Sequence, residues 1–204
     1  MLEGLWLVHP DDAMCAAFQK RFAGLPKVRV VQGRFEDLEV HDCFVTAGNA
    51  FGLMTAGIDA AVVRRFGESL MQRVQQRILD EFFGEQPVGT AFVVSTGDAS
   101  VPFLCHAPTM RVPGNIEGTD KVYAATWAAL LAVQAHNRSG ARRIEVLALP
   151  AMGTGFGGVK FDEAARQMAV AYRHFLEPPH RLDWDFVAQR QLDICYDEGR
   201  QVIR

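Results

Sequence analysis

Cysteine is scarce in this chain and what there is stands apart. Cys15, Cys43, Cys105 and Cys195 share no metal-ligand spacing, so neither a zinc site nor a disulfide framework is written here. Cys43 and Cys105 fall in apolar runs, where a thiol packs as a small hydrophobe. Such usage fits a reducing compartment, and a cytoplasmic location is expected. No run reaches the ~20 apolar residues of a membrane helix. The opening MLEGLWLVHPDD lacks the basic flank and apolar length of a signal peptide. Basic residues are not clustered: 21 Lys and Arg against 24 Asp and Glu give a net charge of −3. That speaks against a nucleic-acid-binding surface, though not against holding one small nucleotide on a few backbone amides. Catalytic signatures are missing as well. Ser69, Ser95, Ser100 and Ser139 lack a G-x-S-x-G elbow, and no HExxH occurs. Cys105 and His106 are adjacent on a predicted strand and point to opposite faces, so they form no dyad; His106 reads as a satisfied core histidine. Neither a metal nor another cofactor is expected.

What is present is a well-filled core. At 204 residues and 49 % hydrophobic content, the chain can bury one without staples. One domain over 1–204 is expected, with 28–176 as its core and 1–27 and 177–204 as extensions. Leu5–Val8 and Val28–Gln32 read as strands around a helix from Asp11 or Asp12 to about Phe22. Cys43–Thr46 is a third strand, followed by helices at about Asp59–Phe66 and Glu68–Phe83. The second helix places Leu70, Val74, Ile78, Leu79 and Phe82 on one stripe. Gly89–Ser95 and Phe103–Ala107 suggest a hairpin, and Pro108–Gly118 reads as a long surface loop. Thr119 or Asp120 opens a helix to about Asn137. Ile144–Leu149 is a strand, and Asp162 is expected to cap a helix through Phe175, ended by Pro178–Pro179. Trp184–Tyr196 fits helix or strand. The alternation predicts an α/β fold, a three-layer α/β/α sandwich around a central mixed, mostly parallel sheet.

Two glycine-rich stretches stand out. Thr46–Asp59 reads TAGNAFGLMTAGID, with Gly48, Gly52 and Gly57 and only Asn49 and Asp59 as strong polar side chains. Glycine lets backbone N–H groups approach a ligand without a Cβ in the way, and a helix starting near Ile58 or Asp59 adds its positive end. The second stretch, PAMGTGFGG (Pro150–Gly158), also leaves a strand and precedes a helix. Ligands of open α/β sheets sit at the carboxyl ends of strands. If the two strands are neighbours, the loops face each other and can hold a diphosphate without Arg or Lys. GTGFGG matches G-x-G-x-x-G, yet it follows the wrong strand and has no suitable acid about twenty residues on. A phosphate-binding P-loop fails too, because Lys160 does not directly follow the glycine and Phe161 stands where Ser or Thr is needed.

The ordered set of segments resembles the macro domain, an ADP-ribose-binding module. The N-A-A-N loop and V-D-G-x-I of that family correspond to V-T-A-G-N-A-F-G-L-M-T-A-G-I-D-A-A-V, which puts the last Asn at Asn49 and the Asp at Asp59. Gly89, Ala91 and Thr96-Gly97 are similar to G-x-A-x-x-T-x-G, Cys105–Pro108 echoes I-H-x-V-G-P, and Leu149–Gly158 resembles the phosphate loop F-P-x-I-S-T-G-[IV]-[FY]-G. The resemblance covers about residues 28–176 and implies a macro-domain-like fold and a metal-independent hydrolase of ADP-ribose esters. It implies that the amides of Ile58 and of Gly153, Thr154, Gly155, Phe156 and Gly157 hold the diphosphate, with Phe156 beside the distal ribose. Asn49 would bond a distal ribose hydroxyl. Asp59 would orient or activate a water with help from the substrate's phosphate; as a carboxylate at a helix start it is expected to have a depressed pKa. Phe35, Ala47, Gly48, Gly57, Ala151 and Met152 complete the implied ligand-binding set. Partners are then ADP-ribose or an ADP-ribosylated substrate, with no membrane and no nucleic acid except as such a substrate. The chain departs from the family at Arg34, where an Asp holds the adenine amino group, and at Met54-Thr55, where bulk replaces glycine and predicts tighter walls. No Lys lies in the first loop, so a lysyl-adduct mechanism is not expected. A non-catalytic module that reads ADP-ribose or another nucleotide is the competing reading.

Overall fold

Apolar alternation along each strand sorts the whole molecule into layers. The computed structural model describes residues 2–139 and 142–204. Strand β1 (Gly4–His9) leads to α1 (Asp12–Arg21), whose N-cap Asp11 accepts from the N–H of Ala13 and Met14. Then come β2 (Val28–Gln32), a 3-10 turn at Phe35–Asp37, β3 (Cys43–Thr46), α2 (Gly57–Phe66) and α3 (Glu68–Phe82). The second half runs β4 (Phe92–Ser95), β5 (Phe103–His106), α4 (Lys121–Arg138), β6 (Val146–Pro150), α5 (Phe161–Leu176), α6 (Trp184–Cys195), β7 (Tyr196–Asp197) and β8 (Arg200–Gln201).

Six strands form one sheet in the order β2-β1-β6-β3-β5-β4, parallel except for the antiparallel β4–β5 pair. Cys43, Val45, Cys105, Leu147 and Leu149 face α1, α4 and α5, where Met14, Phe18, Leu130, Met168 and Tyr172 meet them. Their neighbours Phe44, Leu104 and Ala148 face α2 and α3 and pack on Val62, Leu70, Val74 and Ile78. Side chains that alternate up and down a strand thus fill both interlayers. Each of the larger ones contributes about 1.5–3 kcal/mol by burial. The result is the α/β/α sandwich with a mixed, mostly parallel sheet. Strand β1 lies inside that sheet, hydrogen-bonded on one side to β2 and on the other to β6.

Several local expectations are corrected. Leu79 is 58 % exposed and lies off the buried stripe of α3. Residues Gly89–Ala91 precede β4 rather than belonging to it, since Gly89 takes φ +89°. Asp162 does not cap α5; Lys160 is the N-cap residue, and Asp162 pairs with Lys20 and Arg21 of α1. The tail resolves into α6 and a short β7–β8 hairpin. Arg166 of α5 ties it down by donating to the carbonyl oxygens of Asp193 (3.0 Å) and Ile194 (2.8 Å). No described helix is long and apolar enough to cross a membrane.

Candidate functional site

Because β2, β1, β6, β3 and β5 are parallel, their carboxyl ends share one edge of the sheet. The segments leaving that edge surround a cleft of about 590 Å³, within the usual range for small-molecule sites. Strands β6 and β3 are neighbours, so the two glycine-rich loops do face each other.

The first loop is shaped by Asn49. Its Oδ1 accepts from the N–H of Phe51 (3.1 Å) and Leu53 (3.3 Å), and its Nδ2 donates to the Leu53 carbonyl (2.9 Å). Asn49 also bridges to Met110, while Ala50 N–H is shared by the carbonyls of Met110 and Arg111. Helix α2 then begins at Gly57, two residues before Asp59, with Ala56 as its N-cap residue. The first helical bond runs from Ala60 N–H to the Ala56 carbonyl, so among the described residues the N–H groups of Gly57, Ile58 and Asp59 find no backbone acceptor. All three residues line the cleft.

The second loop is shaped by glycine. Gly153 takes φ +75°, and a Cβ on Gly157 would drive into the Gly153 carbonyl oxygen. Gly158 N–H bonds to Gly155 and Val159 N–H to Gly153. The N–H groups of Gly155, Phe156 and Gly157 have no acceptor among the described residues. Two sets of free donors therefore flank one space, which suits an anion.

Asp59 is 7 % exposed. Thr46 Oγ1 donates to its Oδ1. Burial raises its pKa to about 6, and the Thr46 hydrogen bond offsets only part of the rise. The shift runs opposite to the depression expected at a helix start, because desolvation of the buried carboxylate is its largest cause. Behind it lies His106, fully buried, with Nδ1 2.6 Å from Gln86 Oε1 and Nε2 without a partner among the described residues. The histidine is therefore only half satisfied. Burial pushes its pKa down to about 4, so it is neutral at neutral pH. Gly48 separates the two: a Cβ there would stand 2.7 Å from His106 Nε2 and 3.1 Å from Asp59 Oδ2.

Phe35, Ala47, Gly48, Asn49, Gly57, Ile58 and Asp59 line the cleft from one side, and Ala151, Gly153, Thr154, Gly155, Phe156 and Gly157 from the other. Met152 does not; its side chain is fully buried in the core. Met54 is also turned away, 1 % exposed beneath α3, so Leu53 and Thr55 form the wall instead. Arg34, which the sequence marks as the departure at the base position, lines one end together with Glu36; sequence reasoning missed His9 and Arg64 there and Thr109, Met110, Val112 and Pro113 at the other end. The rule that ligands gather at strand carboxyl ends points to His9 and Gly33–Glu36 once β1 and β2 are placed in the sheet. The segment expected to be a surface loop, 108–118, instead supplies a wall, with Thr109 and Ile116 buried.

A sequence profile described as Macro domain matches residues 45–168. An uncharacterized protein of Aquifex aeolicus (strain VF5) is 31 % identical over 148 residues, 72 % of this chain and 82 % of that one. Among solved structures, the Oceanobacillus iheyensis macrodomain with ADP is similar at TM-score 0.58 and 20 % identity, over 76 % of this chain and 83 % of that chain. The Trypanosoma brucei macrodomain in complex with ADP-ribose is similar at TM-score 0.52 and 19 % identity, over 69 % of this chain and 53 % of that chain. With its sheet order, its paired loops and these matches, the chain belongs to the Macro domain family.

Proposed function

We propose that this protein binds ADP-ribose or a close derivative in the cleft and hydrolyses an ester linkage at the distal ribose. The observation that carries the reading is a buried carboxyl, Asp59, on the same first turn of α2 whose free N–H groups face those of Gly155–Gly157. Support also comes from the neighbours whose structures hold ADP and ADP-ribose. In this reading the diphosphate lies between the two donor sets. Phe156, 62 % exposed at the rim, covers the distal sugar. Asp59 accepts a proton from the attacking water; a group with a pKa of about 6 is ionised at neutral pH yet far more basic than a free aspartate. Thr46 holds Oδ1 and leaves Oδ2 for the water. Each turnover adds water across the ester and releases a free ribose hydroxyl and the acid.

The second reading, a module that binds without turnover, is favoured by one observation. The Asn49 amide is already engaged with Phe51 and Leu53, so its main work is holding the loop. Calorimetry with ADP-ribose tests binding, and release of acid from an O-acyl-ADP-ribose tests turnover. Loss of turnover with retained affinity in Asp59→Ala supports hydrolysis. Tight binding by the unmodified protein with no acid release leaves the binding module. No heat at millimolar ADP-ribose removes both.

A further inference from the structure

The cleft has two unlike ends. Sheet order places the diphosphate cradle, after β6 and β3, in the middle. Beyond it, on the β5 side, the walls are Met110, Val112, Pro113, Phe51 and Leu53. On the β1–β2 side they are His9, Gly33, Arg34, Phe35, Glu36 and, from α2, Arg64. If the reacting ribose sits with Phe156 and Asn49 toward β5, the base of the nucleotide falls at the β1–β2 end.

That end is rich in donors. The Arg34 side chain is exposed and makes no hydrogen bond or ion pair among the described residues, and a guanidinium can only donate. His9 Nδ1 accepts the Asp11 N–H at 3.1 Å, which leaves Nε2–H as its free donor. Among the described residues, the one acidic side chain at this end of the wall is Glu36, held by Arg64 at 3.7 Å. Adenine sets an amino group, two more donors, at its 6-position, where a guanidinium has nothing to accept with. Guanine sets O6 and N7 there, the acceptor pair that matches an arginine fork, and its N1–H and 2-amino group would meet the Glu36 carboxylate.

We propose that Arg34, with Glu36, makes this cleft select a 6-oxopurine, so that the preferred ligand is a guanosine diphosphate ribose rather than its adenine counterpart. This rests on the reading of the cleft as a nucleoside-diphosphate-ribose site. The test is calorimetry on the full chain with GDP-ribose, ADP-ribose and ADP-ribose carrying a 2′-phosphate. GDP-ribose binds about tenfold tighter than ADP-ribose. Arg34→Ala abolishes the preference, and Arg34→Asp, which places acceptors where donors stood, turns it toward adenine. Arg34 is exposed, so neither change threatens folding. ADP-ribose binding as well as GDP-ribose, unaltered by Arg34→Asp, overturns the base assignment and leaves the site intact. The 2′-phosphate ligand binding tightest, and losing that advantage in Arg34→Ala, overturns it in favour of a phosphate contact. Failure of all three to bind overturns this proposal together with the site reading beneath it.

Discussion

The two glycine-rich loops bind the same space but are built on different principles. The first is organised around side chains: Asn49 closes it, and behind it Thr46, Asp59 and His106 pack around Gly48, while backbone bonds stitch the 109–111 segment to it. The second is held by the absence of side chains. Gly157 lies against the Gly153 carbonyl, with Ile116 and Val122 filling the space a Cβ would need. One loop presents titratable chemistry and the other presents only backbone donors. Under the proposed hydrolysis a division of labour is expected, in which changes to the first loop act on turnover and changes to the second act on shape and affinity.

The largest effect expected is at Asp59. Asp59→Asn should lower turnover by ~10²–10⁴-fold, the usual contribution of a positioned general base. It should also stabilise the fold. Lifting a buried carboxyl from 3.8 to about 6 costs ~3 kcal/mol at neutral pH, and the amide still accepts from Thr46. A melting temperature higher by roughly 5–10 °C at pH 7.5, together with lost activity, marks a residue kept for chemistry. A variant that melts lower would show that the carboxylate is structural.

Next comes a contrast inside the second loop. Gly157→Ala forces a Cβ onto backbone and should cost about 1–3 kcal/mol and weaken nucleotide binding. Gly155 has open space around its Cβ position and no positive φ. Gly155→Ala should therefore leave urea stability within ~0.5 kcal/mol. Equal losses in both would mean that the loop is held by something other than the 153–157 contact.

Much of this division was legible in the sequence, and the limits have physical causes. Two of the strand-forming stretches, Cys43–Thr46 and Phe103–His106, announce themselves as largely apolar runs, and Val28–Gln32 does so by its three valines. The two loops do so by their glycines at strand–helix junctions. The burial of Asp59 was not legible. Polar spacing reveals a helix start but not that Thr46 and Gly48 close over the carboxyl, and the sign of its pKa displacement depends on that enclosure. Met54 was misplaced for a related reason: in the extended run Leu53–Thr55 side chains alternate, and only the fold shows which parity faces the cleft. The walls at 109–113 were hidden because prolines and glycines look like surface loop, whereas Thr109 N–H bonds the Gly48 carbonyl and Met110 bridges to Asn49.

A smaller loss is expected at Asn49. Removing its amide in Asn49→Ala frees two N–H groups and one carbonyl at a partly exposed site. Stability should fall by about 1–2 kcal/mol, with a matching drop in ADP-ribose affinity as the loop loses its prepared shape. Calorimetry separates the two loop roles. If Asn49 acts chiefly on the loop, affinity and turnover fall together; a fall in turnover alone would assign the side chain to the reacting ribose.

The smallest effect is a cancellation inside the first loop. Asp59 has a folded pKa of about 6 against 3.8 unfolded, so its contribution to stability is fully present below 3.8 and is lost as pH rises through 6. His106 has a folded pKa of about 4 against 6.5, so its contribution is present above 6.5 and is lost as pH falls through 4. Between pH 4 and 6 the two slopes oppose each other, each near 1.4 kcal/mol per pH unit, and nearly vanish in sum. Asp59→Asn removes one partner, and the variant should then lose ~3 kcal/mol of stability between pH 6.5 and 4 that the unmodified protein keeps. His9, His41 and His174, whose pKa values burial also lowers, add the same acid loss to both proteins and drop out of the difference. Urea midpoints at half-unit steps of pH read it directly. Parallel curves for the two proteins would mean that Asp59 is solvated in solution, and with that the side-chain loop would lose the feature that sets it apart from the backbone loop across the cleft.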